Sequence, residues 1–344
     1  MEKYTMGKVC LEEYTSEGAH PFLVVDRAHQ KKVYYIDREK KLSCHGVDKD
    51  GWLVHGTDHD YIKIETWGKK TLLTGLGGKR QLLIENELGI GENVARQTAV
   101  LSADFFFCGN AIYSLADCSR VLDLGWEEYR DVLIILEPEE HIRVLILAEP
   151  GWCCRFWYYV TVDIEKLCVL STDRKAVVAS SQIIRKVSEN LYMEADRGTG
   201  TTFYFYDSNG KLQYKPCIYE PIDMWEIDGN EKKLYVFLEN RECLEIDCQG
   251  KQEPARRTLP SIYRRNWVVE AIVSGKAYFV LGKKTLKCMD LRTGNEERMK
   301  FSKPIDRVFL QDGCLFVKTL EEPDFAVPGH KLVEEGECEI FRIV

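Results

Sequence analysis

The sequence predicts an all-β fold made of about eight copies of one four-stranded unit, and three observations carry that expectation. A pair of short β-type runs joined by a polar turn recurs along the chain, with an aspartate closing the first run. It reads VYYID-REK-KLSC, IYSLAD-CSR-VLDL, VTVD-IEK-LCVL, FYFYD-SNG-KLQY, CLEID-CQG-KQEP and LKCMD-LRTG-NEER. The closing residues, Asp37, Asp117, Asp163, Asp207, Asp247 and Asp290, stand 80, 46, 44, 40 and 43 apart, so the first gap has room for one degenerate copy. Helical periodicity is nearly absent; only residues 86–98, between the second and third units, suit a helical turn or two.

The degenerate copy is TLLTG-LGGK-RQLLIE, with its turn at Leu76 to Lys79. One further repeat beyond Asp290 falls at Glu334 to Gly336, inside KLVEEGECEIFRIV. The turns are thus expected near residues 37, 77, 117, 163, 207, 247, 290 and 335. Aspartate suits such turns because its carboxylate accepts from backbone amides two residues on, while Asn-Gly and Thr-Gly supply the left-handed residue that a tight hairpin needs. Upstream of most of these hairpins lies another pair of runs, as in residues 224–239, 268–282 and 306–319. Each unit therefore holds four short strands in about 43 residues, the size of one propeller blade.

A four-stranded sheet with alternating residues has two faces to bury and two edges to protect, and packing such sheets radially handles both. The expected architecture is a single closed β-propeller domain over residues 1–344, of about eight four-stranded blades with seven as the alternative. The approximate blades are 8–47, 48–87, 98–124, 132–172, 182–216, 223–257, 267–301 and 305–344. A sandwich would need about seven to nine strands, against the roughly thirty that the pattern implies. At the last unit either HKLVEE or ECEIFRIV is the third strand. Pairing of the N-terminal KVCLEEY with that unit would join the two ends of the chain and bring the count toward seven.

Composition narrows the function classes. The chain is 45% apolar and 30% charged, a globular profile. Its formal charge of -8 lacks the positive field that non-specific nucleic-acid or acidic-membrane binding uses, so neither nucleic acid nor membrane is expected as a partner. Thirteen cysteines, mostly single within apolar runs, favour reduced buried thiols over a disulfide framework. MEKYTMGKVCLEEY has charges where a signal peptide needs an apolar stretch, and no later segment approaches 18 apolar residues in a row. A soluble, cytoplasmic protein is expected.

MDLRTGNEER resembles the D-x-x-T-G turn of quinoprotein-like repeats, and the chain as a whole resembles the β-propeller superfamily through this short motif. The resemblance implies the fold alone. The quinone cofactor, tryptophan floor and acidic calcium ligands of quinoprotein enzymes find no counterpart residue by residue, nor do the Gly-His and Trp-Asp signatures of WD repeats. No cofactor is expected.

The best candidate for chemistry is HGTDHD, where His55, Asp58 and His59, with Asp60 and the earlier His45, offer imidazoles and carboxylates to zinc or manganese. The spacing matches no metal signature, and a polar hairpin between WLVHG and YIKIET is the favoured reading. Cys153 with Cys154, and Cys243 with Cys248, lack a C-x-x-C spacing or a neighbouring histidine and read as structural thiols. GLGGKR and RGTGT join strands, so they read as turns rather than phosphate loops, and GIGEN lacks the lysine of a P-loop. No nucleophile motif is present, which leans against an enzyme.

Propeller loops that join the second and third strands of a blade, or lead from the outer strand to the next blade, gather on one face, where function resides. This register puts Trp67, Trp126, Trp152, Arg197, Tyr263, Arg264 and Arg265 on or near that face. Aromatic residues and arginine are enriched at interface hot spots. The linker PARRTLPSIYRRN is a local basic cluster suited to an acidic peptide, unless its arginines answer neighbouring acids. The leading expectation is a non-enzymatic scaffold that binds a partner protein or acidic peptide through one face. An enzyme at the channel mouth, a metal-assisted hydrolase or lyase or a carbohydrate-active protein, is the alternative, and a lectin-like glycan or small-ligand binder is the second.

Overall fold

The computed structural model describes residues 1–10, 23–25, 30–36, 42–48, 52–55, 61–67, 70–75, 81–85, 94, 96–126, 130–148, 156–176, 183–197, 199–259, 268–311, 314–320 and 335–344. Its strands form eight antiparallel sheets, divided evenly between two units, Glu13–Val178 and Ala179–Val344 together with Met1–Glu12.

The chain opens with β1 (Glu2–Cys10), which pairs with the last strand. Unit Glu13–Val178 then holds a three-stranded sheet of β2 (Leu23–Val25), β3 (Gln30–Ile36) and β4 (Leu42–Asp48). Three four-stranded sheets follow. They are β5 (Trp52–His55) to β6 (Tyr61–Trp67), β7 (Lys70–Gly75) and β8 (Gln81–Glu85); β9 (Thr98–Val100) to β10 (Phe105–Cys108), β11 (Ala111–Ser114) and β12 (Arg120–Asp123); and β13 (Asp131–Glu139) to β14 (Ile142–Ala148), β15 (Phe156–Asp163) and β16 (Cys168–Ala176).

In the second unit, β17 (Ile183–Ser188), β18 (Leu191–Arg197), β19 (Thr201–Asp207) and β20 (Leu212–Tyr214) form a sheet whose outer edge is extended by β21 (Cys217–Ile218). Next come β22 (Ile222–Asp228), β23 (Lys233–Leu238), β24 (Glu242–Asp247) and β25 (Ala255–Thr258), then β26 (Val269–Val273), β27 (Lys276–Leu281), β28 (Thr285–Asp290) and β29 (Glu296–Lys300). The last sheet joins β30 (Ile305–Gln311), β31 (Cys314–Leu320) and β32 (Glu335–Arg342) to β1. The chain is all-β, and each sheet is an antiparallel meander of the β-propeller type.

The recurring aspartates do what their spacing suggests. Each of the five described, Asp117, Asp163, Asp207, Asp247 and Asp290, sits at the turn from the third to the fourth strand and accepts from amides two or more residues on, while Asp37 lies outside the described residues. Ser119 donates to Asp117 at 3.1 Å, Glu165 and Lys166 to Asp163 at 3.1 and 2.9 Å, and Asn209 and Lys211 to Asp207 at 2.9 Å each. Gln249 and Lys251 donate to Asp247 at 3.0 and 2.9 Å, and Arg292 and Thr293 to Asp290 at 2.9 and 2.8 Å. Gly210 and Gly294 take φ of +65° and +73° there, a region open to glycine without steric cost. At the turn after Asp163, Leu167 adopts +50° with no glycine available.

Where a sheet lies between two neighbours its strands are apolar on both faces, as in the sheet of β22–β25. In β23, Leu234, Val236 and Leu238 pack with Met193, Ala195, Phe203 and Phe205 of the preceding sheet. Tyr235 and Phe237, pointing the other way, pack with Val269, Ile272, Phe279 and Met289 of the following one. The next layer joins Val273, Tyr278 and Leu286 to Val308, Leu315, Val317 and Phe341. In the other unit Leu101, Phe107 and Ile112 meet Leu145, Leu147, Val160 and Val162 in the same manner. Each fully buried side chain of this size stabilises the fold by about 1.5–3 kcal/mol.

Two local expectations meet the structure. Val94 and Arg96 lie in a helical turn before β9, closed by the Thr98 hydroxyl donating to the Val94 carbonyl at 2.6 Å. The turn expected near 335 is corrected: Glu335 and Gly336 open β32, so ECEIFRIV is the third strand of the last sheet. Its Ile340 and Phe341 are buried, a load that a turn does not carry. Lys8–Cys10, at the start of the range expected for the first blade, pair with Glu337 to Glu335 as the fourth strand of this sheet, the N-terminal pairing that the sequence offered as its alternative. Lys3 fastens β1 there, 2.5 Å from Glu339 and 5.8 Å over the Phe341 ring.

Candidate functional site

Within the second unit, a cleft of about 610 Å³ lies where the sheet of β17–β21 meets that of β22–β25. Four pieces build its walls: Arg185 of β17, the β18–β19 turn, the β21–β22 connection, and the first half of β22. The second and third are a second-to-third-strand turn and a link to the next sheet, the two kinds of connection in which sequence reasoning placed a binding face.

β21 sets the walls' spacing. Thr201 and Thr202 pair with Ile218 and Cys217, and the Phe203 amide donates to the Pro216 carbonyl at 3.0 Å. The turn is pressed so closely on β21 that a Cβ at Gly200 would lie 2.6 Å from the Ile218 carbonyl oxygen. Glycine is therefore required by close approach. Pro221 anchors the far end of the connection by accepting from the Glu239 amide at 3.0 Å. Between the two prolines Tyr219 stands out 75% exposed at the cleft.

Trp225, from β22, contributes the aromatic wall. Its ring meets Phe203 edge-on, with centroids 5.6 Å apart, and the Arg185 guanidinium lies 5.1 Å over it. Arg185 is also 3.1 Å from Glu226. Glu220 is ion-paired with Arg256, which holds its carboxyl below the usual range and keeps it ionised. Arg256 in turn lies 2.5 Å from Glu242. Arg197, at the end of β18, is exposed, and its side chain makes no hydrogen bond or ion pair with any described residue. Such a guanidinium keeps its five donors for a ligand.

The other residues singled out from sequence fall as follows. Trp67 is the last residue of β6, opposite Lys70 across the turn into β7. Trp126 lies in the β12–β13 connection, edge-on to Tyr158 at 6.4 Å, with the Arg130 guanidinium 4.9 Å over its ring and 3.6 Å over that of Tyr158. Trp152, Tyr263, Arg264 and Arg265 lie outside the described residues. So do Asp58, Asp60 and His59; His55 ends β5 opposite Tyr61, within a β5–β6 hairpin, and His45 lies in β4.

Two of the four arginines of residues 254–266 are described, and both answer acids: Arg256 as above, and Arg257 at 3.4 Å from Glu245. Cys243 and Cys248 are buried, and burial pushes the Cys243 thiol up to about 12 and raises that of Cys248 as well, which suits structural thiols. Cys153 and Cys154 lie outside the described residues.

Of the residues that line this cleft, sequence reasoning singled out Arg197 and not Tyr219, Glu220, Arg185 or Trp225. The available signal was PCIYEP, an aromatic and an acid framed by two prolines in a link between units.

No protein-family model matches this chain, and no curated protein matches it. Among solved structures it aligns over 99% of its length with BamB from Moraxella catarrhalis, covering 100% of that chain at 8% identity and a TM-score of 0.48. It aligns over the same share with Saccharomyces cerevisiae Sqt1, covering 98% of that chain at 10% identity and a TM-score of 0.47.

Proposed function

We propose that this protein is a non-enzymatic β-propeller of eight blades that binds a partner protein through the face carrying its second-to-third-strand turns and inter-blade links, with the cleft at Arg197 in the docking surface. The observation that carries the reading is an exposed arginine with no described side-chain partner. It stands beside a 75% exposed tyrosine at the mouth of a cleft walled by Trp225. Arginine, tyrosine and tryptophan are the types that dominate interface hot spots, and a guanidinium, more weakly hydrated than an ammonium, costs less than a lysine to desolvate against an acid. Eight meanders at the repeat spacing, with β1 completing the last, support eight blades. An experimental density map that shows seven blades or an open arc refutes that count. Eight free cysteines among the described residues support a reducing, cytoplasmic setting.

The docking reading is tested by quantitative affinity purification from native lysate. It compares wild type, an Arg197→Glu/Tyr219→Ala variant, and Arg298→Glu, which changes an exposed arginine on β29. The expected result is a partner retained by wild type and Arg298→Glu and lost by the cleft variant. A partner profile that is identical in all three refutes it.

A further inference from the structure

We infer that the Arg197 cleft recognises a single carboxylate, an Asp or Glu side chain within an extended segment of the partner, and discriminates against phosphate. The inference rests on the docking reading above and deepens it by naming the group that is read.

The charges lining the cleft carry the distinction. Arg185 and Arg197 are offset by Glu220 and Asp223. Arg185 already lies 3.1 Å from Glu226, and Glu220 is paired with Arg256. One guanidinium is left without a described partner, and carboxylates share its walls. Phosphate-reading sites gather several guanidinium or backbone donors around a charge near -2. Here a phosphate dianion would find one unpartnered arginine, fewer donors than such sites gather, whereas a carboxylate is fully met by one guanidinium. Arg197 can take a carboxylate through two parallel N–H donors, and Thr199 and Thr201 add hydroxyls to the same wall. Beyond the anion, Ile222, Met224 and Trp225 offer apolar surface for a neighbouring aliphatic residue.

The probes are three capped peptides, Ac-Leu-Glu-Leu-NH2, its glutamine counterpart and its phosphoserine counterpart. Each is titrated into the full chain with ¹⁵N-labelled tryptophan. The Trp225 indole resonance, assigned with Trp225→Phe, reports occupancy. Capping removes the terminal carboxylate, so the signal comes from the side chain alone. A saturable shift is expected with the glutamate peptide, weaker by about fivefold with glutamine, as for an exposed ion pair. The phosphoserine peptide is expected to bind no more tightly than the glutamate one. Arg197→Ala, an exposed change that leaves the core untouched, should equalise glutamate and glutamine. No saturable shift, equal binding of glutamate and glutamine by wild type, or tighter binding of phosphoserine overturns the inference. If it falls while the Arg197→Glu/Tyr219→Ala variant still loses its partner, the docking reading stands; an unaffected partner removes the docking reading itself.

Discussion

Asp228 links two neighbouring sheets, and its removal tests whether sheet-to-sheet hydrogen bonding, beyond apolar packing, stabilises this repeat. The side chain is fully buried at the end of β22. One oxygen accepts from the Asn230 and Glu231 amides at 3.1 and 3.2 Å, shaping its own hairpin. The other accepts from the Gly275 amide at 2.8 Å, in the β26–β27 turn of the next sheet, where Ser274 and Gly275 take φ of +52° and +74°. Asp228→Ala removes all three bonds and leaves the buried Gly275 N–H without an acceptor. A charged hydrogen bond is worth about 1.5–3 kcal/mol and an orphaned buried donor costs about 1–3 kcal/mol, so with overlap between them we expect a loss of about 3 kcal/mol. Asp228→Asn keeps one acceptor oxygen but sets its NH2 group against either Gly275 or the hairpin amides, and should lose about half as much. Urea titration gives the stability change, and hydrogen exchange at the Gly275 amide localises it, with exchange faster by roughly a hundredfold in the alanine variant. A loss below about 1 kcal/mol with Gly275 exchange unchanged would refute the reasoning.

Other perturbations follow from the same contacts. Gly200→Ala should lower stability by about 1–3 kcal/mol and weaken partner binding, because its Cβ meets the Ile218 carbonyl oxygen at 2.6 Å; an unchanged melting temperature counts against this packing. Lys287 is fully buried, 2.5 Å from Glu296, so Glu296→Ala removes a buried counter-charge and should cost about 3–5 kcal/mol, whereas Lys287→Met should stay within about 1 kcal/mol of wild type. The reverse order in chemical denaturation would refute that assignment. Asp290 has its carboxyl held below the usual range, first by the Thr293 amide and then by that of Arg292. Its folded pKa is depressed, so its contribution is present above the unfolded value of about 3.9 and is lost as pH falls through the lower folded value. Asp290→Asn, which keeps an acceptor for the turn, should flatten the fall in melting temperature below about pH 4; matching pH profiles would refute the role.

The repeat was legible because its signal is local. An aspartate with backbone donors two residues on is a complete physical unit inside five residues, and at Asp207, Asp247 and Asp290 the geometry is what the spacing implies. The last sheet was less legible because its fourth strand is supplied from the other end of the chain. The pairing of Glu2 with Arg342 leaves no periodic trace, and a repeat extrapolated by spacing put a turn where a buried strand begins.

The candidate cleft was half legible for a related reason. Composition draws attention to the arginine-rich 254–266, yet a guanidinium's availability is set by what faces it across neighbouring strands. Arg256 meets Glu220, thirty-six residues away, together with Glu242, while Arg257 meets Glu245; none of these pairings follows from a sequence window. Arg197, a single arginine at a glycine turn, stands without such a partner among the described residues, where the β18–β19 turn is pressed on β21 beside a proline-framed link whose acid is committed to Arg256. Among the described residues, folding pairs Arg256 and Arg257 with acids and leaves Arg197 exposed at the cleft, while Arg264 and Arg265 lie outside the described residues.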